Sequence, residues 1–349
     1  MTVTKTGGSA SARVLRYRGF SVLVDLRLVA VGATLLFLVV ALGAYALSIG
    51  TLKIAVADVI QILLGNGSGV GERVIMNIRL PRVLTGIFAG AALGASGAIF
   101  QSISRNALGS PDVIGFTTGA ATGAIAQIIL FNGTPSQIAI SAVVTGMLTA
   151  AVVYLLSSNR GGGGYRLVLT GIGVGAILAA LNGLMLVKGN LDDAISANLW
   201  LAGSLNARTW LHVWPVLIGT LVVIPVACAA ARSLSMVEMG DDLARQLGIR
   251  VERTRLFAVF LAVLLAALAT AAAGPIAFVA LAAPQLHARL AGTSNLAVFG
   301  SAAMGALLLI LADLTTQLLP IGFAVPIGRM TGIIGGLYLI WLLTRSKQV

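Results

Sequence analysis

The chain has 349 residues, of which 58% are apolar and only 10% charged, and its mean hydropathy is +1.00. A soluble domain carries about a quarter of its residues charged, so this composition excludes an ordinary water-soluble fold and leaves a lipid-solvated one. The formal net charge of +12 raises nucleic acid as a partner, but no basic patch with interleaved aromatics accompanies it, and membrane topology accounts for the charge instead.

In chain order, residues 1–27 read as a mobile cytosolic leader containing Ser, Gly and Arg. A single membrane domain is expected over 28–345, and 346–349 as a cytosolic C-terminus. Leu28 to Leu47 is the first uncharged run. It is longer than a signal h-region and no short small-residue cleavage site closes it, so it is read as an anchor. Leu52 to Leu64, with Lys53 and Asp58 among apolar residues, predicts a short helix on the outer surface. Val83 to Ser104 is the second span.

The uncharged stretch from Val113 to Asn159 is too long for one crossing and is broken at Asn132-Gly133-Thr134-Pro135-Ser136, so it predicts two spans. Arg160 and the run Gly161 to Gly164 form a pliable loop. Leu167 to Val187 and Thr209 to Ala231 follow as spans, and 232–255 is the one long hydrophilic segment between them and the next. Leu256 to Ala288 splits at Ala273-Gly274-Pro275, and the remainder divides near Asn295 and before Pro326, which makes about ten spans at about 20 residues each. The runs are continuous and rich in Leu, Ala and Gly rather than alternating, so the expected fold class is an all-α, polytopic membrane helical bundle and not an outer-membrane barrel. Most of the 23 basic residues fall on the side of the N-terminus, Arg105, Arg160, Arg232, Arg245, Arg250, Arg253 and Arg255 among them, which puts both termini in the cytoplasm.

Few residues outside the spans carry chemistry. Arg79-Leu80-Pro81-Arg82 sits at the outer membrane edge, where two guanidinium groups can hold carboxylates of a partner or anchor to lipid headgroups. Within 232–255, the run Met239-Gly240-Asp241-Asp242-Leu243-Ala244-Arg245-Gln246-Leu247-Gly248-Ile249 predicts a short cytosolic helix with Asp241 as its N-terminal cap and Gly248 as its C-terminal one. It is the expected docking surface for a cytosolic protein. Cys228 is alone, and His212 and His287 have no carboxylate spacing to join them, so no metal site in the chain is expected. No nucleophile and base pair is discernible, which argues against an enzyme. Asp313 is the one clear candidate for a mid-membrane coupling group of an ion-coupled secondary transporter.

Arg79 to Arg82, Ala91-Ala92-Leu93-Gly94-Ala95-Ser96-Gly97, Gln101, Arg105-Asn106-Ala107-Leu108 and Ser110-Pro111-Asp112-Val113-Ile114-Gly115 resemble, in order and spacing, the FecCD-type permeases of ATP-driven importers. Trp200 to Gly203, Ala244 to Gly248, Gly274 to Phe278 leading to Pro284, and Pro326 to Trp341 agree as well, so the resemblance spans Leu28 to Leu343. The family imports ferric siderophores, haem and cobalamin. The resemblance implies a bacterial cytoplasmic (inner) membrane location and a second permease subunit, the same chain or a related one. It also implies two cytosolic ATPase subunits that hold ATP and Mg, and an extracytoplasmic substrate-binding protein; no cofactor is expected in this chain.

By the same resemblance, Arg79 and Arg82 dock the binding protein, and Asn106, Leu108, Gly161 and Gly162 belong to a cytoplasmic gate. Gly240, Asp241, Asp242, Ala244, Leu247 and Gly248 belong to the helix that couples to the ATPase. The sequence departs from the family at Gln317, where an arginine four residues after Asp313 is usual, and at Ala324-Val325-Pro326. Arg329 is then a candidate for the missing docking charge. The Gly335-Gly336 ending and the Asp313/Gln317 pattern favour a ferric siderophore as substrate, with cobalamin or haem as the alternative within the family.

Overall fold

The structure is a computed structural model and describes residues 2–5, 12–17, 20–158, 163–293, 296–319 and 325–345. The described residues of the leader pair as a three-stranded antiparallel meander, β1 (Thr2–Lys5), β2 (Ala12–Tyr17) and β3 (Phe20–Asp25), in the order β1-β2-β3.

The body is helical throughout. Asp25 caps α1 (Leu26–Ser48) by accepting from the Arg27 amide at 2.9 Å. α2 (Val56–Gln61) runs into a π-helical turn at Ile62–Asn66 and is the expected surface helix; its buried Val59 and Ile62 pack with Leu47 of α1. α3 (Gly69–Val74) and α4 (Leu80–Ser104) are joined by a second π-helical turn, Ile75–Arg79, into one 36-residue helix. Pro81, which has no amide hydrogen to donate within this continuous helix, stands directly after the π-helical turn, the kind of break a proline imposes.

After the 3-10 turn Pro111–Ile114 come α5 (Phe116–Ile129), α6 (Pro135–Ser158) and α7 (Gly163–Lys188), with α5 and α6 separated at the expected turn, where Asn132 is left-handed at φ 48°. α8 (Leu191–Leu201) is capped by Asn190, and α9 (Trp210–Glu238) opens on a Thr209–His212 capping box. α10 (Asp241–Gln246) is the short helix of the hydrophilic segment. α11 (Val251–Ala273) ends at Gly274 with φ 76°, ahead of Pro275, as the split of that run requires. α12 (Val279–Ala291), α13 (Val298–Leu318) and α14 (Ile327–Arg345) complete the chain.

Among the described residues, seven helices are long and apolar enough to cross a bilayer, and the shorter α5, α12 and α14 occupy the remaining expected positions. Burial divides them into two layers. The spans through α4, α13 and α11 are 83%, 78% and 67% buried, whereas those of α1, α6, α7 and α9 are 17–28% buried. α4 is therefore the axis of the bundle, packed against α13, α11, α9 and α12, and the outer helices present apolar faces to their surroundings.

The axis is built on small residues. A Cβ on Gly94 would overlap the Ser301 carbonyl oxygen, one on Gly305 would overlap that of Gly90, and one on Gly97 that of Ala280. Without a hydrophobic drive between helices in lipid, backbone-to-backbone contact of this kind supplies the packing.

Candidate functional site

At the end of the bundle where α4 begins, Arg79 and Arg82 are held inside the chain. Arg79 is buried; its guanidinium donates to the carbonyl oxygens of Leu47 at 2.7 Å and Leu52 at 2.5 Å, closing the C-terminus of α1. Helix termini leave such carbonyls unsatisfied, and a buried cation answers them. Arg79, expected to face a docking partner, here pins the α1–α2 corner onto α4.

Arg82 forms an ion pair with Asp313 of α13 at 2.8 Å, its side chain 24% exposed against 5% for the aspartate. Gln317 donates its amide to the other Asp313 oxygen at 2.8 Å, so the unusual glutamine completes the shell of the carboxylate. Arg329, near the start of α14, is exposed and makes no ion pair among the described residues. Of the three expected docking residues, Arg329 is free to meet a partner and Arg82 partly so.

Arg79→Gln is expected to lose both carbonyl bonds and to lower stability by about 2 kcal/mol, the scale of a charge-assisted hydrogen bond. Thermal unfolding of the detergent-solubilised protein reads this, with Arg82→Gln expected to give the smaller shift.

Between α5, α6, α8 and α11 lies a cavity of about 410 Å³ lined by Asn132, Asp193, Trp200, Arg208 and His212 among others. Arg208 donates Nε to the Ser204 carbonyl at 2.9 Å, and burial of its guanidinium pushes its pKa below the usual arginine value. The loop that carries it is fixed by Ser204, whose amide donates to the Ala273 carbonyl at 2.8 Å. Sequence reasoning missed Arg208, because one arginine in a short loop between spans carries no pattern.

At the opposite end, α4 stops at Arg105, which adopts a left-handed φ of 48°. For a residue with a Cβ this costs about 1–2 kcal/mol, and the bonds of its side chain offset it: Nη2 donates to the Val237 carbonyl at 2.6 Å and forms an ion pair with Asp241. Asp241 also accepts from Arg255 of α11 at 3.0 and 3.1 Å. One carboxylate of α10 thus clamps the end of α4 and the first turns of α11. Partial burial works to raise the Asp241 carboxyl, but the hydrogen-bonded Arg255 and Arg105 outweigh it and hold it below its ordinary value of 3.8.

The expected gate residues lie next to this clamp. The Asn106 side chain accepts from the Leu108 amide at 2.9 Å, shaping a tight turn, and Leu108 is 51% exposed. Gln285 of α12 donates to the Ala107 carbonyl, which braces the same turn. Beneath it a cavity of about 290 Å³ is lined by Gln101, Arg105, Asn106, Glu238, Pro284 and His287, so His287 and His212 belong to separate cavities. Gly161 and Gly162 lie outside the described residues.

α10 matches the expected short helix with one correction. Gly240, at φ 126°, occupies the cap position, and Asp241 opens the helix with its carboxylate turned to the two arginines rather than to its own amides. Gly248, at φ 82°, follows the last turn, and the Ile249 amide donates back to the Ala244 carbonyl at 3.0 Å. The helix has two faces. Ala244 is buried with Val237 and Val251, while Leu243 and Leu247, spaced by four, are 40% and 55% exposed, and Met239, at the end of α9 just ahead of the helix, is 67% exposed. Asp242 pairs with Arg245 at the rim at 2.9 Å.

A small-residue membrane bundle, with a braced turn at one end beside an apolar-faced helix held in a hydrophilic loop, defines a polytopic permease. The FecCD transport family model matches residues 36–345, and the chain belongs to that family. It is 43% identical over 306 residues to the ferric enterobactin transport system permease protein FepG of Escherichia coli (strain K12), covering 88% of this chain and 93% of that one. It is 35% identical over 329 residues to the probable siderophore transport system permease protein YfhA of Bacillus subtilis (strain 168), covering 92% and 94%. A solved chain, described as an inward-facing conformation of a metal-chelate type ABC transporter, superposes with a TM-score of 0.81 at 26% identity over 90% of this chain and 99% of that one.

Proposed function

We propose that the chain is the membrane permease subunit of an ATP-driven importer in a bacterial cytoplasmic membrane and forms the path for a ferric siderophore by alternating access. The observation that carries the ATP-driven part is α10: an exposed apolar face of Leu243 and Leu247, with exposed Met239 just ahead of it, beside a carboxylate joined to Arg105 and Arg255. An apolar helix face in a hydrophilic loop is the surface a cytosolic ATPase grips, and the Asp241 clamp carries its movement to the turn at Asn106 and Leu108. Two ATPase subunits holding ATP and Mg, a second permease and an extracytoplasmic binding protein complete the assembly. Arg329 and the exposed part of Arg82 are the docking charges for the binding protein. The names of the relatives, FepG and YfhA, support a siderophore over cobalamin or haem.

An ion-coupled secondary transporter needs a titrating group free at mid-membrane. Asp313 lies near the outer end of α13 and is tied to Arg82 and Gln317, which argues against that role. Vesicles containing the assembled transporter and its binding protein are expected to accumulate a ferric catecholate from a panel of labelled ferric chelates only when ATP is supplied at the ATPase face. Uptake driven by a proton gradient without ATP overturns the reading, and uptake of cobalamin or haem in place of every ferric siderophore corrects the substrate alone.

A further inference from the structure

α1 and α9 both pack on α4 and α13 and leave a cleft between them of about 280 Å³. Its floor is small, formed by Ala91, Ala302, Ala303 and Ala306, and its walls include Leu36 and Val39 on one side and Ile224 and Pro225 on the other. Neither the turn at Asn106 and Leu108 nor the Arg105–Asp241–Arg255 clamp contributes a residue to it. Cys228, the one cysteine of the chain, lines the cleft toward the end of α9 that the positive-inside rule places in the cytoplasm.

Arg232 stands four residues further along α9, so it projects from the same helix face about one turn, roughly 6 Å, nearer the cytoplasmic surface. Arg232 is exposed and makes no ion pair among the described residues. Arg27, the corresponding cation at that end of α1, is already engaged, donating to the Leu290 carbonyl at 3.0 and 3.2 Å.

We infer that the α1/α9 cleft and Arg232 together form a binding site for an anionic phospholipid of the cytoplasmic leaflet, one acyl chain seated over the alanine floor and the phosphate on the Arg232 guanidinium. Two separate observations agree on the occupant. The cleft opens on the lipid-facing layer, where hydrocarbon is the medium. The Arg232 charge stands one turn beyond the cleft, toward the end of α9 that the positive-inside rule assigns to the leaflet where anionic lipid attracts basic residues by about 1 kcal/mol each. An acyl chain there fills the gap between α1 and α9 and gives its lining atoms partners that they otherwise lack. The placement of Arg232 rests on the topology of the proposed importer, and the test below reads lipid rather than transport, so the two fail separately.

The assembled transporter, purified in mild detergent and supplied with equal amounts of phosphatidylglycerol and phosphatidylcholine, is examined by native mass spectrometry and by the rate of Cys228 alkylation with N-ethylmaleimide. Phosphatidylglycerol is expected to stay bound and to slow the alkylation, and Arg232→Gln is expected to weaken both effects about fivefold, the loss of one surface charge contact. Ala303→Phe, which fills the floor, is expected to abolish retention while leaving Arg232 in place. Equal retention of the two lipids with equal alkylation rates, unaltered by Arg232→Gln, means annular contact only and overturns the proposal. Protection of Cys228 in detergent without any lipid means that protein covers the cleft and overturns it as well.

Discussion

Replacing Asp241 with alanine is expected to cut uptake by about tenfold or more while the partner ATPase continues to hydrolyse ATP. Arg105 and Arg255 both end on the Asp241 carboxylate, from α4 and α11, and the turn that contains Asn106 and Leu108 begins at Arg105. Each charge-assisted bond contributes on the order of 2 kcal/mol, discounted because the Asp241 side chain is 26% exposed and screened by solvent. What remains suffices to decide whether a push on α10 moves α4 or merely slides past it. The buried seat of α10, through Ala244 against Val237 and Val251, does not depend on Asp241, so the helix and its exposed apolar face stay available to a partner. Uptake and ATP hydrolysis measured on the same vesicles give the coupling ratio. If both rates are unchanged, the clamp transmits nothing, and if both vanish, Asp241 is needed for assembly.

The charge state adds a sign to this. The two arginines hold the Asp241 carboxyl below its ordinary value, so the clamp is complete above the pKa of the unfolded chain and is lost only as pH falls through the depressed folded value. Titration of Asp241 is therefore expected to leave uptake unchanged across the neutral range, and Asp241→Asn should mimic at neutral pH what acid does to the native chain.

How much of this was legible beforehand depends on whether the information is local. Uncharged runs about as long as a bilayer is thick place the spans, and breaks at Asn132 to Ser136 and at Gly274-Pro275 fall where α5 gives way to α6 and where α11 ends. The short helix with Gly248 at its end is legible for the same reason, since capping chemistry is read within a few residues. Direction is not. Whether Arg79 points outward or back onto the carbonyls of Leu47 and Leu52 depends on a contact 27 to 32 residues away, and Arg105 reaches Asp241 across 136. Both arginines satisfied a membrane-edge or positive-inside pattern that is indifferent to their partners. Gln317 looked like a lost charge until Asp313 was seen to need an amide beside Arg82. α8 was missed because its face is short and mixed, with Asp192 and Asp193 in the first turn.

The largest structural effect is expected where α4 crosses α13. Gly94→Leu directs a side chain at the Ser301 carbonyl oxygen, and Gly305→Val directs one at that of Gly90. A side chain in the way can rotate, but a helix backbone can yield only by moving the whole element, and α4 is also packed against α9, α11 and α12. The cost should therefore reach or exceed the upper part of the range for overpacked cores, about 3 kcal/mol. In lipid the loss is not recovered by hydrophobic burial elsewhere, because the surrounding chains are as apolar as the protein surface. Either variant is expected to leave the membrane fraction poorly folded, seen as aggregation on size exclusion and loss of a cooperative thermal transition. Gly173→Ala and Gly183→Ala provide the comparison: nothing lies within 4 Å of a Cβ at either position, and both are expected to fold as the native chain does. Near-normal melting of Gly94→Leu would mean that α4 and α13 do not approach as closely as this crossing requires. The axis on which the Arg82–Asp313 pair and the Arg105–Asp241 clamp are both mounted would then have to be redrawn.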